Sequence, residues 1–419
     1  MTLLPVDEAL ERILDGVKAL PGEMVPIEEA DGRVLAAPLS AMRTQPPFDA
    51  SAMDGYAVRA ADVETPRAVR LRVIGESAAG NRFHGAVGAG EAVRIFTGAP
   101  VPEGADTILI QENADLLDDG SIEATSTVAS GRHIRRAGLD FVEGDVVLEQ
   151  GRRLGPAGVG LAAAAGHAML SVTERPLVAI IATGDELVRP GETCGPDQVV
   201  ASNGFAIGAL AKSEGARILD LGIVGDDSAA ITAAVQRAAA AGAHVLVTLG
   251  GASVGARDLV RQALLDAGMS LDFWKIAMRP GKPLMFGRLE HRNSRNPDST
   301  LRPDTTGTMR VLGLPGNPVS SLVCAHLFLR PLVARLGQRS HTPDLRAAVL
   351  ASALRENDDR RDYIRASVAS GPEGLIATPF SLQDSSMLTT LAAANALIVR
   401  EPGAPAAEPG SRCRVLMLA

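Results

Sequence analysis

Five acidic residues follow three segments of the chain that have the composition of buried strands. They are Asp185 and Glu186 after the first segment, Asp226 and Asp227 after the second, and Asp258 after the third. The carboxyl ends of parallel strands meet at one edge of a sheet, so we expect these side chains to converge there. Converging carboxylates repel each other unless a hard divalent cation binds them through oxygen. Each acid also lies near a helix start, where it complements the helix dipole, so a structural role stays open for any one of them.

A glycine-rich loop, Gly250-Gly251-Ala252-Ser253-Val254-Gly255, joins the third strand to a segment, 257–267, with the apolar spacing of a helix. A strand, a glycine-rich loop and a helix in this order point N–H groups and the positive helix end at a bound anion, usually a phosphate. The loop matches neither G-x-G-x-x-G nor the Walker sequence, which excludes the common nucleotide fingerprints. One glycine would suffice to turn the chain, so three glycines around a serine favour a ligand role.

A basic turn follows, in which Lys275 precedes the run Arg279-Pro280-Gly281-Lys282-Pro283. A stiff turn with three cations suits an oxyanion such as phosphate or a metal oxyanion, although a solvated surface turn is the alternative. After a further strand, the run Pro315-Gly316-Asn317-Pro318-Val319-Ser320-Ser321 places hydroxyl groups at the start of a helix predicted over 320–336. The pattern of a strand ending in a glycine and proline turn therefore recurs.

Two further carboxylates, Asp49 and Asp54, lie among small residues in the segment 45–57, after two prolines that impose an extended approach. A tight turn into the strand that begins at Tyr56 explains this segment equally well, because Asp and Gly are ordinary turn residues. Thr97 ends an apolar run before a glycine and two prolines, which is a rigid position for a hydroxyl group. Turn capping by Thr97 is the alternative. The segment 132–140 concentrates three arginines next to Asp140, where a solvated charged surface is the usual interpretation.

The elements that must position these residues follow from composition and patterning. A length of 419 residues predicts two to four domains, and a hydrophobic content of 46% can fill their cores. A net charge of −8 argues against nucleic-acid binding. The absence of a signal pattern and of any run of 18 apolar residues argues against a membrane role. Three widely separated cysteines argue against a structural zinc site and a disulfide framework, and suit the reducing cytoplasm.

Three patterns divide the chain. Strands and helices alternate from residue 177 to about 330, which predicts a doubly wound parallel sheet covered on both faces. Short apolar runs and glycine-rich turns over 56–139 predict a small β-rich domain. β patterning returns over 340–419 and predicts a small barrel or sandwich. The polar segment 290–309 is predicted to be a long, mobile loop.

Six motifs, in this order along the chain, resemble the MoeA family of molybdopterin molybdenumtransferases, which includes the E domain of gephyrin. They are Phe48-Asp49-Ala50-Ser51-Ala52-Met53-Asp54-Gly55-Tyr56-Ala57, Thr97-Gly98-Ala99, Thr183-Gly184-Asp185-Glu186-Leu187, Gly250-Gly251-Ala252-Ser253-Val254-Gly255, Arg279-Pro280-Gly281-Lys282-Pro283 and Leu314-Pro315-Gly316-Asn317-Pro318-Val319-Ser320. The resemblance extends from about residue 5 to the C-terminus.

The resemblance implies an α/β multidomain protein. The expected parts are a doubly wound parallel or mixed sheet domain over 176–330, a small β-rich domain over 46–139, an elongated linker domain from 1–45 with 140–175, and a C-terminal β-barrel over 331–419. It also implies a homodimer whose active cleft lies between the doubly wound domain of one protomer and the β-rich domain of the other. Molybdopterin adenylyltransferase and recipient molybdoenzymes are the further partners that it suggests.

The reaction implied is the insertion of molybdenum from molybdate into adenylylated molybdopterin, with release of AMP and a requirement for Mg²⁺. The matched motifs imply catalytic roles for Asp54, Thr97, Arg135, Asp140 and Glu186. They imply metal binding by Asp185, Glu186, Asp226, Asp227 and Asp258. They imply binding of the organic substrate or molybdate by Gly250, Gly251, Ser253, Gly255, Lys275, Arg279, Lys282, Pro283, Ser320, Arg360 and Ser385.

This sequence departs from the family in two places, at Arg279 and in the segment 290–309. Arg279 stands where many relatives have lysine, which keeps the charge and changes the donor geometry. The polar segment 290–309 is longer than expected, and Arg360 and Arg361 are alternatives for one anion ligand.

Two other functions compete with this interpretation. The related molybdopterin adenylyltransferase resembles residues 177–330 alone and would not need the other domains. A molybdopterin-binding scaffold or chaperone without turnover is the second, and the intact acids and basic turn argue against it.

Overall fold

The structure is a computed structural model, and it describes residues 3–65, 68–250, 259–292, 306–372 and 374–418. The chain divides into two compact units. The large unit contains Met1–Gly22 and Thr173–Ala419, and the small unit contains Glu23–Val172. The first helix, Val6–Leu14, therefore belongs with the later part of the chain and not with the linker domain predicted from 1–45 and 140–175. Its apolar stripe, which includes Ile13, is buried in the core of the large unit.

The large unit is built on a six-stranded mixed sheet. In spatial order the strands are Arg217–Val224, Leu177–Thr183, Val245–Leu249, Thr306–Leu314, Met285–Arg292 and Ser270–Phe273. The first four strands run parallel, and each of the last two runs antiparallel to the strand before it. The predicted doubly wound sheet is therefore confirmed, with an antiparallel extension at one side. A short parallel pair, Leu187–Val188 with Val199–Val200, lies outside this sheet.

Successive residues of the strand Leu177–Thr183 alternate between the two faces of the sheet. Val178 and Ile180 join one core, and Ala179 and Ile181 join the other. The first core includes residues of the helices Val6–Leu14, Asn203–Ser213 and Pro318–Leu336. The second includes residues of the helices Ser228–Ala240 and Leu259–Asp266. A strand that is apolar at consecutive positions requires this double covering.

The helix Pro318–Leu336 has two α-helical parts, Pro318–Cys324 and Arg330–Leu336, joined by a π-helical turn, Ala325–Leu329. Among the described residues it is the one helix long and apolar enough to cross a membrane by length and composition, with a mean hydropathy of 1.4. The sequence analysis found no such run. Because 72% of the helix is buried inside the protein, its apolar composition is that of a core helix.

A closed barrel completes the large unit, as predicted. Its strands are Leu345–Leu350, Arg361–Gly371, Gly374–Pro379, Ala396–Arg400 and Arg412–Met417, and the helix Leu388–Ala393 lies between the third and the fourth strand in the chain. The barrel closes because the long strand Arg361–Gly371 pairs with two neighbours. A further short strand, Met278–Arg279, runs parallel to the start of that strand and ties the predicted basic turn to the barrel.

The small unit is mainly β-structure, as predicted for residues 46–139. Its six-stranded sheet has the order Thr107–Ile110, Gly55–Val58, Glu91–Ile95, Val69–Ser77, Ile122–Ala124 and Ala114–Leu116. Two-stranded pairs join Gly22–Pro26 with Met169–Thr173, Leu39–Ser40 with Val146–Leu148, and Ala50–Ser51 with Ile134–Arg135. The helices are Ala60–Val63 and Pro156–Ala164, with 3₁₀ turns at Ile27–Glu29 and Gln111–Asn113.

The prediction of a long loop over 290–309 was wrong at both ends of the segment. The strands Met285–Arg292 and Thr306–Leu314 pair residue by residue from Met285 with Gly313 to Arg292 with Thr306. Polar side chains are compatible with this part of the hairpin: the Thr308 hydroxyl donates to the Glu290 carboxylate at 2.8 Å. Residues 293–305 lie outside the described residues.

Candidate functional site

A cleft of about 880 Å³ opens in the large unit between the barrel and the basic turn. Its lining includes the predicted residues Arg279, Lys282, Pro283, Ser320, Arg360 and Ser385. These residues come from four separate segments of the chain, which the strand Met278–Arg279 and the start of the helix Pro318–Leu336 bring to the mouth of the barrel. The fold therefore gathers positive charge and hydroxyl groups around one space.

Arg365 also lines this cleft, and the sequence analysis did not choose it as a site residue. Its side chain is only 2% exposed and hydrogen-bonds neutral groups: the Gln383 amide oxygen at 3.2 Å and the Met387 carbonyl at 3.3 Å. In the part of the chain that the structure describes, no carboxylate forms an ion pair with it. Burial lowers the pKa of Arg365, with Asp384 acting in the opposite sense. A buried guanidinium without a counter-charge is suited to receive an anion.

Two of the predicted cations are already paired with aspartates. Arg279 donates from Nε to Asp362 Oδ1 at 2.7 Å and from Nη2 to Asp362 Oδ2 at 2.5 Å, a bidentate pair that raises the pKa of Arg279. Arg360 donates from Nη2 to Asp358 at 2.7 Å, and Asp358 also contacts Arg279 at 3.3 Å. The Arg360 and Arg279 contacts lower the pKa of Asp358 to about 2. These four side chains form an alternating charge network with no net charge.

Lys282 and the helix start complete the cleft. Lys282 is exposed, and within the described ranges no hydrogen bond or ion pair of its ammonium group is found. Ser320 lies in the first turn of the helix Pro318–Leu336, where partial positive charge favours anions. The Asn317 amide donates to Ser385 Oγ at 2.9 Å, and the Val319 N–H donates to the Ser385 carbonyl at 3.1 Å. Ser385 is thereby held beside the helix start.

The acids of the mixed sheet lie at its carboxyl edge, as their position after the strands predicts. The Asp226 N–H donates to Asp185 Oδ1 at 3.0 Å, which joins the ends of two neighbouring strands. The pKa of Asp226 is raised, first by burial and then by the nearby charges of Asp185 and Glu186. Asp227 occupies the cap position of the helix Ser228–Ala240 without a side-chain capping bond. Asp185, Glu186 and Asp226 therefore lie near one another, and their charges repel.

A divalent cation at this edge would have few protein ligands. No three His, Cys, Asp or Glu side chains in residues 3–65, 68–250, 259–292, 306–372 and 374–418 lie close enough together to hold a metal ion by themselves. Mg²⁺ keeps several waters and takes one or two carboxylates together with substrate phosphates. The mutual repulsion of Asp185, Glu186 and Asp226 fits an ion of this kind. It does not fit a preformed protein cage.

Part of the predicted substrate loop can be placed. Gly250 has φ +96, and a Cβ there would lie 2.7 Å from the Thr183 carbonyl. Its N–H donates to the Leu314 carbonyl at 3.3 Å, so Gly250 lies between the ends of two flanking strands. Gly251, Ser253, Gly255 and Asp258 lie outside the described residues.

In the small unit, Asp54 and Thr97 come together across 43 residues of sequence. The Thr97 N–H and hydroxyl group both donate to Asp54 Oδ1 at 2.7 Å, and the backbone bond is the first cause of a lowered pKa of Asp54. Both bonds go to Oδ1 of this half-buried carboxylate, and no hydrogen bond to Oδ2 is found within the described residues. Asp54 is thus an ionised acceptor at neutral pH.

The other acid of that segment, Asp49, is a structural residue. The Ala137 N–H donates to it at 2.9 Å and Arg136 at 2.6 Å, and both contacts lower the pKa of Asp49. Arg135, on the strand Ile134–Arg135, and Asp140, which follows this strand, are both exposed. Among the described residues neither side chain contacts Asp54 or Thr97, so their catalytic roles stay a prediction.

Comparison with known proteins identifies the family of this chain. Family models describe residues 4–166 as the MoeA N-terminal region (domain I and II), 179–335 as a probable molybdopterin binding domain, and 347–418 as the MoeA C-terminal region (domain IV). A molybdopterin molybdenumtransferase of Haemophilus influenzae is 34% identical, with 95% of both chains covered. The chain belongs to the MoeA family.

Other MoeA-family proteins agree with this assignment. A molybdopterin molybdenumtransferase of Bacillus subtilis is 34% identical over 100% of this chain and 94% of its own. The crystal structure of a molybdopterin biosynthesis MoeA protein from Pyrococcus horikoshii superimposes with a TM-score of 0.82 at 29% identity, over 100% of both chains. The match to the whole chain, and not to 177–330 alone, removes the single-domain adenylyltransferase alternative.

The contacts of Arg360 and Arg361 distinguish these two candidate ligands. Arg360 lines the cleft, whereas Arg361 donates both Nη groups to the Asp7 carboxylate at 2.6 and 2.8 Å and Nε to Glu401 at 2.8 Å. These carboxylates raise the pKa of Arg361, with Asp7 first among the causes. Arg361 therefore fastens the first helix to the barrel and takes no part in the cleft.

Proposed function

We propose that this protein is a molybdopterin molybdenumtransferase that inserts molybdenum from molybdate into adenylylated molybdopterin and releases AMP. The cleft of the large unit carries the proposal, because Arg365, Lys282 and the start of the helix Pro318–Leu336 line the same space. Molybdate is a tetrahedral oxyanion with two negative charges and requires cations together with N–H or O–H donors. The names of the relatives support the same activity.

Lys282, Arg355 and Arg365 are the cations of the cleft that no aspartate of the described chain neutralises, and Lys282 and Arg365 together match the charge of one molybdate ion. Ser320 and Ser385 supply hydroxyl donors beside them. The Arg279–Asp362 pair, by contrast, shapes the wall of the cleft. We assign Arg279 to positioning the basic turn and Arg365 to binding the anion.

The organic substrate is proposed to lie along the carboxyl edge of the mixed sheet, where Gly250 allows close approach of its phosphates. Asp185, Glu186 and Asp226 are the residues that would hold Mg²⁺ there, together with substrate oxygens. Bound Mg²⁺ would supply positive charge that stabilises the negative charge developing on the phosphate oxygens as the phosphoanhydride is cleaved. Asp54, ionised and held by Thr97, would accept a hydrogen bond or a proton from the reacting groups.

The functional protein is proposed to be a homodimer in the cytoplasm, in which the small unit of one protomer completes the site on the large unit of the other. Four apolar side chains of the small unit support this: Met42, Leu139, Val142 and Val146 are 62%, 66%, 46% and 51% exposed. They come from neighbouring segments, because Leu39–Ser40 pairs with Val146–Leu148. A second copy covering them would remove that surface from water.

The deciding experiment incubates the purified protein with adenylylated molybdopterin, Mg²⁺ and molybdate and follows AMP. We expect AMP release that depends on molybdate. Glu186→Ala should abolish release without changing the melting temperature, because Glu186 is exposed. Substrate binding without AMP release by the wild-type protein would refute the proposal and favour a scaffold or chaperone. Full turnover by a folded Glu186→Ala protein would refute the role of Glu186.

A further inference from the structure

Arg94 lies between the two segments of the small unit that carry Asp54 and Thr97. It belongs to the strand Glu91–Ile95, which ends two residues before Thr97. That strand pairs with the strand Gly55–Val58, which begins directly after Asp54. Arg94 is therefore at the end of the sheet where both residues of the proposed acceptor site leave it.

Two aromatic rings contact the guanidinium group of Arg94. Its central carbon lies 5.1 Å from the ring centroid of Tyr56 and 5.0 Å from that of Phe96. Within the described residues, each other cation that lies over a ring contacts one ring only, as Lys275 does at 4.8 Å from the ring centroid of Trp274. Contact with two rings restricts the plane and the position of a guanidinium more than contact with one.

The N–H groups of Arg94 hold the backbone around Asp54. Nη1 donates to the Gly55 carbonyl at 3.2 Å, and Nη2 donates to the Gln111 amide oxygen at 2.9 Å. The Gln111 N–H in turn donates to the Asp54 carbonyl at 3.1 Å. Arg94 thus fixes the peptide groups that follow Asp54, whereas Thr97 binds the carboxylate itself.

The positive charge of Arg94 is not neutralised by a neighbouring acid. Glu76 lies opposite Arg94 on the adjacent strand, and Glu112 lies in the turn after the next strand. Both are exposed, and in the part of the chain that the structure describes neither forms an ion pair with Arg94. The bonds from Thr97 lower the pKa of Asp54 most, and the charge of Arg94 lowers it further, against an opposing effect of burial.

We propose that Arg94 is a positioning residue for the insertion reaction, one that fixes the backbone of Asp54 and exposes its carboxylate to an unneutralised positive charge. The inference rests on the proposed function, in which Asp54 accepts a hydrogen bond or a proton from the reacting groups. Nη1 and Nη2 of Arg94 both donate to oxygens of the protein, so Arg94 acts through Asp54 and is not assigned to the substrate.

Amide hydrogen exchange in the full-length protein tests the positioning without any substrate. The N–H groups of Thr97 and Gln111 are the reporters, because they donate to the carboxylate and to the carbonyl of Asp54. In Arg94→Gln both should exchange about tenfold faster or more than in the wild type. Arg72→Gln, an exposed charge change on the adjacent strand, is the matched control and should exchange as the wild type. Unchanged exchange at both reporters in Arg94→Gln would overturn the inference.

Steady-state AMP release separates positioning from substrate binding. Arg94→Gln should lower kcat about tenfold or more and leave the KM for both substrates near the wild-type values, as expected for an effect on the reacting groups alone. Arg94→Lys keeps a cation beside the rings and should recover most of the lost kcat. Both variants should fold, because Arg94 is only half-buried, and circular dichroism checks this. A raised KM with unchanged kcat, or equal kcat in the two variants, would refute the assignment.

The pH dependence of kcat tests the effect of the charge. Without the Arg94 guanidinium the Asp54 carboxylate binds a proton at a higher pH, so kcat of Arg94→Gln should start to fall at a higher pH than that of the wild type as the solution is acidified. Arg72→Gln retains all other acid-sensitive groups and should follow the wild-type profile. Coincident profiles of Arg94→Gln and the wild type would refute the effect of the charge.

The outcomes separate this inference from the proposed function. Wild-type kcat in Arg94→Gln, in a protein that releases AMP on addition of molybdate, overturns the inference alone. Failure of the wild-type protein to release AMP overturns the proposed function, and hydrogen exchange at Thr97 and Gln111 then still decides whether Arg94 positions Asp54.

Discussion

Individual residues of the same type differ in this protein mainly through their partners. Arg279, Arg360 and Arg361 are paired with aspartates or glutamates, whereas Arg365 is buried against neutral groups only, within the described residues. When an arginine is paired with a carboxylate, the N–H groups in that contact and the positive charge are already engaged and are less available to a further anion. Anion binding in the cleft is thus assigned to Arg365, because no carboxylate of the described residues forms an ion pair with its guanidinium group.

We predict that Arg365→Gln raises the KM for molybdate about tenfold to a hundredfold, the cost of removing a hydrogen bond to a charged group. The KM for adenylylated molybdopterin should change little. Arg361→Gln is the control: it loses the contacts to Asp7 and Glu401, so its melting temperature should fall while its KM for molybdate stays near the wild-type value. The reverse pattern in steady-state kinetics would assign the anion to Arg361.

Asp54 and Asp49 are a second case in which two residues of the same type have different roles. Asp54→Ala should abolish AMP release with little loss of stability, because Thr97, which donates to it, is exposed and water can replace the lost acceptor. Asp49→Ala should lower the free energy of unfolding by about 1–3 kcal/mol, because it leaves the Ala137 N–H and Arg136 without their acceptor. Circular dichroism melting and AMP release measure both effects. A stable and active Asp54→Ala variant would contradict the assignment.

At the scale of elements, the basic turn depends on one glycine. Gly281 has φ +112, and a Cβ there would lie 2.5 Å from Cys324 Sγ in the helix Pro318–Leu336. Burial raises the pKa of the Cys324 thiol, which acts as a packing group below the turn. The turn that carries Lys282 therefore rests directly on the helix that carries Ser320.

Gly281→Ala should destabilise the large unit by about 2–5 kcal/mol, because the cost of an unfavourable backbone conformation and the cost of overpacking add together. It should also raise the KM for molybdate, since the turn must shift to relieve the clash. Gly410→Ala is the matched control, because Gly410 has φ +86 with nothing within 4 Å of its Cβ, so only the backbone cost applies. Equal unfolding midpoints for the two variants in denaturant titrations would argue against a tight contact.

The π-helical turn Ala325–Leu329 contains a buried histidine. Burial, followed by the charge of Arg330, lowers the pKa of His326 to about 4, with His341 lowering it and Glu214 raising it. The unfolded chain binds this proton below its usual pKa of 6.5, and the folded chain binds it only near 4. Stability that is present above pH 6.5 is thus lost as the pH falls toward 4.

The free energy of unfolding is predicted to fall by about 3 kcal/mol between pH 6.5 and pH 4 because of His326. Urea titrations of the wild-type protein at a series of pH values measure it. His326→Gln should reduce the pH dependence of the free energy of unfolding by a similar amount. His84→Gln, in the small unit, is the control and should leave the pH dependence for the large unit unchanged. An unaltered slope in His326→Gln would show that other groups cause the acid sensitivity.

At the scale of the whole molecule, we predict a dimer in sedimentation velocity. Leu139→Glu should weaken self-association and AMP release together, because it puts a charge into the exposed apolar segments of the small unit. Leu116→Glu is the control, since Leu116 is 70% exposed on the edge strand Ala114–Leu116 of the same unit. A fully active monomer would refute the shared site.

The sequence by itself determined the elements and the chemistry they carry. Periodicity indicated the alternating strands and helices of residues 177–330 and the strands of the barrel, since burial of apolar residues is a local pattern. It also located the acids after their strands and the basic turn before the helix Pro318–Leu336, because these are properties of neighbouring residues. It missed the hairpin ends in 290–309, where polar composition concealed paired strands.

Only the tertiary structure decided which charges are available. Arg279 and Asp362 are 83 residues apart, Arg361 and Asp7 are 354 residues apart, and Asp54 and Thr97 are 43 residues apart. Whether a charged group is free depends on contacts between such distant residues, and no local pattern encodes them. The choice of Arg365 over Arg360, and the placement of the first helix with the large unit, both follow from packing across the chain. Local sequence specifies what a residue can do, and its neighbours in space specify whether it is free to do it.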